Sequence, residues 1–434
     1  MRFLATVGSA VTTRVTFALV AVAIGRTLGP HGLGIYATTG TIAAGLAAIL
    51  DFGSPLQIQA AAGTTNSPLS LGQAIAHAYL SRAIAILLAT GVSAVVGMLV
   101  LGGGVGLPAL SFFAAAVAIG ESGWLLTTVA RCTRREGPGL VAAGLGAPLP
   151  ALSVLLASRA SESVAVVAAA LLASQVTVVA CWTVIVTRGI RLGELRWHEY
   201  VRFVKGGIPY ALATVLMWVY SQSDVIVTTS LLGPTAGGAY YGNYRLFAML
   251  TMIAIAAAAH WGPEFFAVLR SREEREDCAA FIGDRSTRLG LWGIAVALVL
   301  VAMGPLATQV LFGQRFPVFP AIHYVLAAAL PAYFIGVGLG AALTSTGLQN
   351  VRTRLQAAAA TLNLVLNLAL MKRGGVLVGA TTTTLATGTL LVLYVSQCSR
   401  LGLLTQRTML ISVAAGIVAI LSSVAAILTT FLAR

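Results

Sequence analysis

The sequence contains few charged residues. Only 9% of its 434 residues are Asp, Glu, Lys or Arg, whereas 58% are hydrophobic. A soluble domain has about 25% charged and about 45–50% apolar residues, so this chain has too little polar surface for an aqueous globule. The mean hydropathy of +0.91 indicates an integral membrane protein.

Residue patterns that build metal and nucleotide sites are also missing. The four cysteines have no CxxC or Cys/His spacing, and the five histidines form no HExxH motif, which disfavours a disulfide framework or a zinc site. The sequence has no P-loop motif, so we expect no built-in ATPase. We therefore expect neither a cofactor nor a metal, and a protein that is not an enzyme.

Long apolar stretches make up most of the chain. A helix needs about 20 apolar residues to cross the hydrocarbon core of a bilayer. We therefore predict an all-α membrane protein with 12–14 transmembrane helices. Thirteen candidate spans lie near residues 3–28, 34–60, 71–101, 106–130, 139–158, 163–187, 206–231, 236–268, 287–312, 320–346, 353–371, 375–397 and 408–432.

The basic residues are distributed unevenly between the two sides of the membrane. If the N-terminus is cytoplasmic, 18 of the 27 Lys and Arg residues lie on that side and six on the other, while Arg14, Arg82 and Arg245 lie inside spans. This asymmetry satisfies the positive-inside rule. It predicts a multi-pass protein of the cytoplasmic membrane, and it accounts for most of the net charge of +14 without a nucleic-acid partner.

A short pattern occurs twice in the chain. Residues Leu28 to Tyr36 read LGPHGLGIY, and residues Leu232 to Tyr240 read LGPTAGGAY, at an offset of 204. The first and seventh spans start on the same side of the membrane, so the repeat is parallel. It predicts two six-helix lobes related by a pseudo-twofold axis along the membrane normal.

The predicted domain boundaries follow from this repeat. Residues 1–187 form the N-lobe, 188–205 a basic amphipathic linker on the cytoplasmic membrane surface, 206–398 the C-lobe, and 399–434 an extra C-terminal helix. The outward loops are only a few residues long. This disfavours a membrane glycosyltransferase or polymerase, whose catalytic groups need a substantial extracytoplasmic loop.

Polar side chains recur inside the spans, where they are costly. Those of the seventh span follow one another at steps of three or four residues, which places them on one helix face. They are Tyr210, Thr214, Met217, Ser221, Asp224 and Thr228. The corresponding candidates on spans one, eight and eleven are Thr13, Arg14, Tyr241, Arg245, Asn363 and Asn367. We expect these side chains to line a hydrated cavity between the two lobes.

Some of these polar residues also have purely structural interpretations. Asn363 and Asn367 fit the role of hydrogen-bonding neighbouring membrane helices together. Asp224 could form a structural ion pair with Arg245 or Arg14.

The three intramembrane arginines divide into two kinds. We expect Arg82 to pair with Glu121. Arg14 and Arg245 are harder to explain structurally, because an unpaired guanidinium inside a span needs an anion or water, and its planar fork binds phosphate oxygens bidentately.

A series of motifs runs through the chain in a fixed order. In the first half these are Arg26 to Tyr36 (RTLGPHGLGIY) and Asp51-Phe52-Gly53. In the second half they are Lys205 to Pro209 (KGGIP), Asp224, Leu232-Gly233-Pro234, Leu311-Phe312-Gly313, Asn363, Asn367 and Gly379-Ala380. Together they resemble the polysaccharide-transporter family of Wzx-like oligosaccharide flippases, within the superfamily that also contains MATE exporters and lipid II flippases.

The resemblance implies a MATE-like fold and transport by alternating access. The expected cargo is a polyprenyl-pyrophosphate-linked oligosaccharide for cell-surface polysaccharide assembly, and polysaccharide-assembly proteins are candidate partners. Within that picture Arg14 and Arg245 would bind the pyrophosphate, and the polar face of the seventh span would solvate the glycan. Asp224 and Glu121 are candidates for coupling transport to a proton or cation gradient.

Two other transport functions compete with this one. A lipid II flippase also carries a polyprenyl pyrophosphate and would need similar arginine chemistry. A MATE-type drug/cation antiporter is expected to carry a deeply placed acid in its first helix, where this chain has Arg14. A purely structural scaffold would not explain polar side chains aligned within the membrane.

Overall fold

The computed structural model describes residues 2–63, 69–102, 105–270 and 275–432. Sixteen α-helices account for most of these residues, which confirms the all-α class. They are α1 (Arg2–Thr27), α2 (Gly29–Ile49), α3 (Ser54–Gly63), α4 (Leu71–Leu101), α5 (Leu107–Gly120), α6 (Ser122–Cys132), α7 (Glu136–Gly146), α8 (Leu149–Ala160), α9 (Val164–Thr187), α10 (Trp197–Leu232), α11 (Pro234–Arg270), α12 (Arg275–Phe312), α13 (Pro320–Ser345), α14 (Gln349–Gly374), α15 (Leu377–Arg400) and α16 (Gln406–Leu432).

Three of the predicted spans consist of two helices in succession. These are the second span (α2 and α3), the fourth (α5 and α6) and the fifth (α7 and α8). Within the described residues, eleven helical stretches are long and apolar enough to cross a membrane. The helices α1 and α11, which carry Arg14 and Arg245, are not among those eleven. The chain is a multi-pass membrane protein.

The break between α2 and α3 has a clear local cause. Phe52 and Gly53 adopt left-handed backbone angles, with φ of 50° and 62°, which cannot continue a right-handed helix. The side-chain amide of Gln57 donates a hydrogen bond of 2.9 Å to the Phe52 carbonyl oxygen. Because that carbonyl no longer receives a regular helical hydrogen bond, this contact satisfies it within the turn.

The helices form two compact units, Met1–Trp218 and Val219–Arg434. The boundary lies inside α10, downstream of the segment 188–205 that the sequence marks as a linker. Residues 191–196 adopt no regular secondary structure, and α10 begins at Trp197. Only the second part of the predicted amphipathic linker is therefore helical, and it continues directly into the seventh span.

The first part of α10 packs within the N-terminal unit. Phe203 belongs to a buried apolar cluster with residues of α3, α4, α6 and α9, among them Ile58, Ile75, Leu125, Val129 and Trp182. Gly207 lies against the Phe52 carbonyl oxygen, so close that a Cβ atom would overlap it. At the preceding Gly206, a Cβ would have its nearest neighbour, Gln57 Oε1, 3.9 Å away.

The two copies of the repeated motif form the same kind of turn. Gly29 and Gly233 have φ angles of 66° and 89°, in the region that only glycine adopts without strain. Pro30 and Pro234 then stand in the first turn of α2 and α11, where their fixed φ favours helix initiation. The predicted repeat is thus present as a shared backbone conformation.

Candidate functional site

Arg14 forms an ion pair with Glu121 in the N-terminal unit. Arg14 Nη1 lies 3.3 Å from Glu121 Oε1, and the two side chains are 52% and 15% exposed. Glu121 stands at the break between α5 and α6, which brings its carboxylate next to α1. The arrangement places a half-exposed guanidinium on α1 beside an acid.

Arg82 does not pair with Glu121, so that prediction is wrong. Arg82 Nη2 lies 3.0 Å from Asp51 Oδ1, and Ser54 Oγ donates a hydrogen bond of 2.5 Å to the same carboxylate oxygen. The cause is the turn between α2 and α3, which directs the Asp51 side chain towards α4. Both charges are almost fully buried, so this ion pair is structural.

Asp224 lies in the C-terminal unit and is only 1% exposed. Its Oδ1 accepts the Val225 backbone N–H at 2.9 Å. Its Oδ2 accepts the Tyr240 hydroxyl, and the Thr383 hydroxyl at 3.3 Å. These neutral donors come from α10, α11 and α15, and the described contacts of Asp224 do not include the ion pair with Arg245 or Arg14 that was its structural interpretation. We call Asp224, Tyr240 and Thr383 the Asp224 cluster.

A chain of hydrogen bonds runs beside the Asp224 cluster. Asn363 Nδ2 donates to the Tyr220 carbonyl at 3.0 Å, and Asn367 Nδ2 donates to Asn363 Oδ1 at 3.0 Å. The Thr382 hydroxyl donates to Asn367 Oδ1 at 2.8 Å. Asn363 and Asn367 are fully buried, and they join α14 to α10 and α15, which matches their structural interpretation.

Several members of this network were absent from the sequence-based candidates. They are Tyr220, Tyr240, Thr382, Thr383 and Thr387. The signal that could have found the threonines is the run of four at residues 381–384 in α15. In the described residues, no group of three or more His, Cys, Asp and Glu side chains is placed to hold a metal ion.

Arg245 lies over the ring of Tyr241, four residues earlier in α11. Its Nη1 donates a hydrogen bond of 3.1 Å to the Tyr241 hydroxyl, and its guanidinium carbon lies 5.6 Å from the centre of that ring. The hydroxyl of Tyr244, the residue before Arg245, donates a hydrogen bond of 3.2 Å to the Ser221 carbonyl oxygen. Arg245 and Tyr241 therefore place a half-buried cation next to a buried aromatic ring on α11.

The remaining candidates fall on both sides of the unit boundary. Thr214 belongs to the N-terminal unit, and Ser221 and Asp224 belong to the C-terminal unit. Thr214 and Ser221 are half-buried. The side chains of Thr13 and Tyr210 lie outside the described part of the structure. The predicted polar face of the seventh span is thus divided between the two units.

Comparison with known proteins finds matches at the level of structure. No family model matches the chain, and no curated protein sequence matches it. The lipid II flippase MurJ in an inward closed conformation aligns with a TM-score of 0.65 at 11% identity, over 98% of this chain and 97% of that one.

Two MATE transporter structures align equally well. An inward-facing multidrug resistance transporter of the MATE family in the MOP superfamily aligns with a TM-score of 0.66 at 13% identity, over 98% of each chain. The MATE multidrug transporter DinF-BH aligns with a TM-score of 0.62 at 12% identity, over 94% of this chain and 95% of that one. Along nearly its whole length, the chain has the fold of the MATE transporters and MurJ.

Proposed function

We propose that the protein is a flippase of the cytoplasmic membrane, with a cytoplasmic N-terminus, that moves a polyprenyl-pyrophosphate-linked oligosaccharide to the outer leaflet by alternating access. The observation that supports this proposal most is the half-exposed Arg14 on α1, the first predicted span. Half of the Arg14 side chain stays exposed while it pairs with Glu121, so a second anion can reach the guanidinium. A pyrophosphate supplies such an anion, and the fold is one used by a lipid flippase.

Arg14 is suited to a cargo that must be released again. Its pairing with Glu121 at 3.3 Å keeps the guanidinium compensated when no cargo is bound. An incoming pyrophosphate competes with the Glu121 carboxylate, because both present anionic oxygens to the N–H groups of the same guanidinium. Glu121 would then be released as cargo binds, and it is our candidate for coupling in the N-terminal unit.

Arg245 and Tyr241 would supply the second contact with the cargo. The guanidinium would bind phosphate oxygens, and the buried Tyr241, whose hydroxyl accepts a hydrogen bond from Arg245, would orient it. Thr13, Tyr210, Thr214 and Ser221 would hydrogen-bond glycan hydroxyls, and Asn363 and Asn367 would support this polar lining from α14. Glycosyltransferases and a polymerase of polysaccharide assembly would act before and after this protein.

Asp224 is the group that we propose for ion coupling in the C-terminal unit. A buried carboxylate is costly without a positive charge or a proton, and its described hydrogen bonds come from neutral groups. A proton or a cation arriving at Asp224 would remove that cost. Asp224→Asn is expected to abolish the response of transport to an ion gradient while the protein still folds.

The cargo assignment is tested by depleting the protein and identifying the lipid that accumulates on the cytoplasmic face. Accumulation of lipid-linked oligosaccharide supports the proposal. Accumulation of lipid II instead would assign the competing flippase function, and accumulation of neither, with loss of drug export, would assign a MATE-type antiporter.

The arginine roles are tested by Arg14→Ala and Arg245→Ala in a transport assay. Each change is expected to abolish transport at unchanged protein level, with partial recovery in Arg14→Lys, which keeps the charge and loses the fork. Arg159→Ala removes an exposed arginine at the end of α8 and serves as the matched control. Unchanged transport in both alanine variants would overturn the assignment.

A further inference from the structure

The segment between α9 and the seventh span has an inner and an outer side. Its inner side is fastened to the start of α4. Gln73 Nε2 donates a hydrogen bond of 3.0 Å to Glu199 Oε2, and His77 Nε2 lies 3.8 Å from the same oxygen. The Tyr200 and Phe203 rings are buried beneath it. The segment is therefore held in one orientation, and its outer residues form a fixed surface.

That outer surface is apolar as well as basic. Leu192, Leu195 and Trp197 are 54%, 57% and 73% exposed. Exposing three large apolar side chains within six residues of the chain to water is unfavourable. At a bilayer surface the same side chains are favourable, because Trp settles at the headgroup level and Leu enters the acyl boundary.

The charges around these apolar residues are mostly positive. The exposed cations are Arg188, Arg191, Arg196, Arg202 and Lys205. The acids of the segment have partners already: Glu194 Oε2 lies 2.9 Å from Arg196 Nη2, and Glu199 accepts from Gln73. The surface therefore keeps a cationic excess where it meets its surroundings.

We propose that this outer surface binds the anionic phospholipid headgroups of the leaflet that it faces. We call it the linker face: Arg188, Arg191, Leu192, Leu195, Arg196, Trp197, Arg202 and Lys205. A purely zwitterionic bilayer would bury its apolar residues and would supply no net negative charge to balance its cationic excess. An anionic leaflet satisfies both, since its surface potential attracts each nearby Lys or Arg. This lipid site is separate from the cargo site and does not depend on which cargo is carried.

The test uses the full chain in nanodiscs of phosphatidylcholine and phosphatidylglycerol, with either one or the other lipid brominated. Bromine quenches nearby tryptophan fluorescence, and subtracting the signal of Trp197→Phe isolates the contribution of Trp197. We expect Trp197 to be quenched several-fold more by brominated phosphatidylglycerol than by brominated phosphatidylcholine at the same mole fraction. The preference should fall as salt is added, because the charges are exposed.

A triple variant separates this site from general attraction by a basic protein. Arg191→Ala, Arg196→Ala and Arg202→Ala together are expected to remove the preference. The matched control carries Arg354→Ala, Arg400→Ala and Arg407→Ala, three exposed arginines predicted to lie on the same side of the membrane, and should keep it. Equal quenching by the two lipids in the unmodified protein, or equal loss in both triple variants, would overturn the proposal.

Discussion

The repeated turns at Gly29 and Gly233 lead into different surroundings in the two units. At the end of the first copy, the Tyr36 ring packs edge-on against Phe113, with ring centres 5.5 Å apart. At the end of the second copy, the equivalent Tyr240 donates its hydroxyl proton to Asp224. The same backbone therefore carries an aromatic contact in one unit and a buried carboxylate contact in the other.

The offset of 204 extends this contrast to neighbouring positions. The position equivalent to Asp224 in the first unit is Val20, and the position equivalent to Arg245 is Thr41. At these two positions the charged side chains belong to the C-terminal unit. The repeat supplies the same turn twice, and the two copies differ through a few side chains.

The most disruptive way to break this contrast is to place an acid in the N-terminal unit. Val20 is buried, so Val20→Asp would place a carboxylate where an apolar side chain packs, and burying a charge there is costly. We expect the free energy of unfolding to fall by about 3–5 kcal/mol, measured by denaturant titration in detergent. Val20→Thr, which adds only a neutral hydroxyl, is the control and should cost much less. Equal losses would mean that the N-terminal turn can also hold an acid.

Removing the hydroxyl of Tyr240 should have the next largest effect. Tyr240→Phe deletes a hydrogen bond to a carboxylate, which contributes about 1.5–3 kcal/mol. Tyr220→Phe deletes a contact of 2.5 Å with the neutral Thr387 hydroxyl, so about 0.5–1.5 kcal/mol is expected. Thermal and denaturant unfolding of the two variants measure the difference. A larger loss for Tyr220→Phe would contradict the special role of the Asp224 cluster.

The shared backbone can be tested separately from the chemistry. Gly29→Ala and Gly233→Ala should each cost about 1–2 kcal/mol, because alanine is strained at positive φ, and neither Cβ would have a neighbour within 4 Å. Gly91→Ala, in the interior of α4 and equally free of neighbours, should instead stabilise by about 0.5–1 kcal/mol. Unequal losses at the two turns would show that the repeats differ in backbone as well as in side chains.

The smallest effect is expected from removing the Thr383 hydroxyl, which tests how much this member contributes to the Asp224 cluster. Thr383→Val removes the longer of the two described side-chain hydrogen bonds to Asp224, at 3.3 Å, and leaves Tyr240 in place. We expect a loss of about 0.5–1 kcal/mol in the same unfolding measurements. Thr383→Ser keeps the hydroxyl and is the control; if it loses as much as Thr383→Val, packing and not the hydrogen bond is responsible.

Much of the helical architecture could be predicted because apolar length is a local property. Each long apolar stretch became a helix or a pair of helices. The helix breaks at Phe52 and at Glu121 were not predicted, since a single acid such as Asp51 or Glu121 does not end an apolar stretch. They depend on backbone angles and on side-chain partners such as Gln57, which lie outside a hydropathy pattern.

Individual residues of the candidate site could be predicted from the sequence, but their hydrogen-bond and ion-pair partners could not. Asp224, Asn363 and Asn367 were identified because polar groups inside membrane spans are rare. Their partners depend on which helices are neighbours, and one sequence does not contain that information. For the same reason Arg82 was assigned to Glu121, although Asp51 is the acid that the turn brings to it.

The contact between Gly207 and the Phe52 carbonyl also limits how this sequence can diverge over evolution. The adjacent residues Gly206 and Gly207 differ in whether they can be substituted. Gly206 has room for a methyl group, whereas at Gly207 a methyl group would overlap the Phe52 carbonyl oxygen. Any lineage that keeps this fold can change the first residue and must retain the second, unless the turn at Phe52 changes with it.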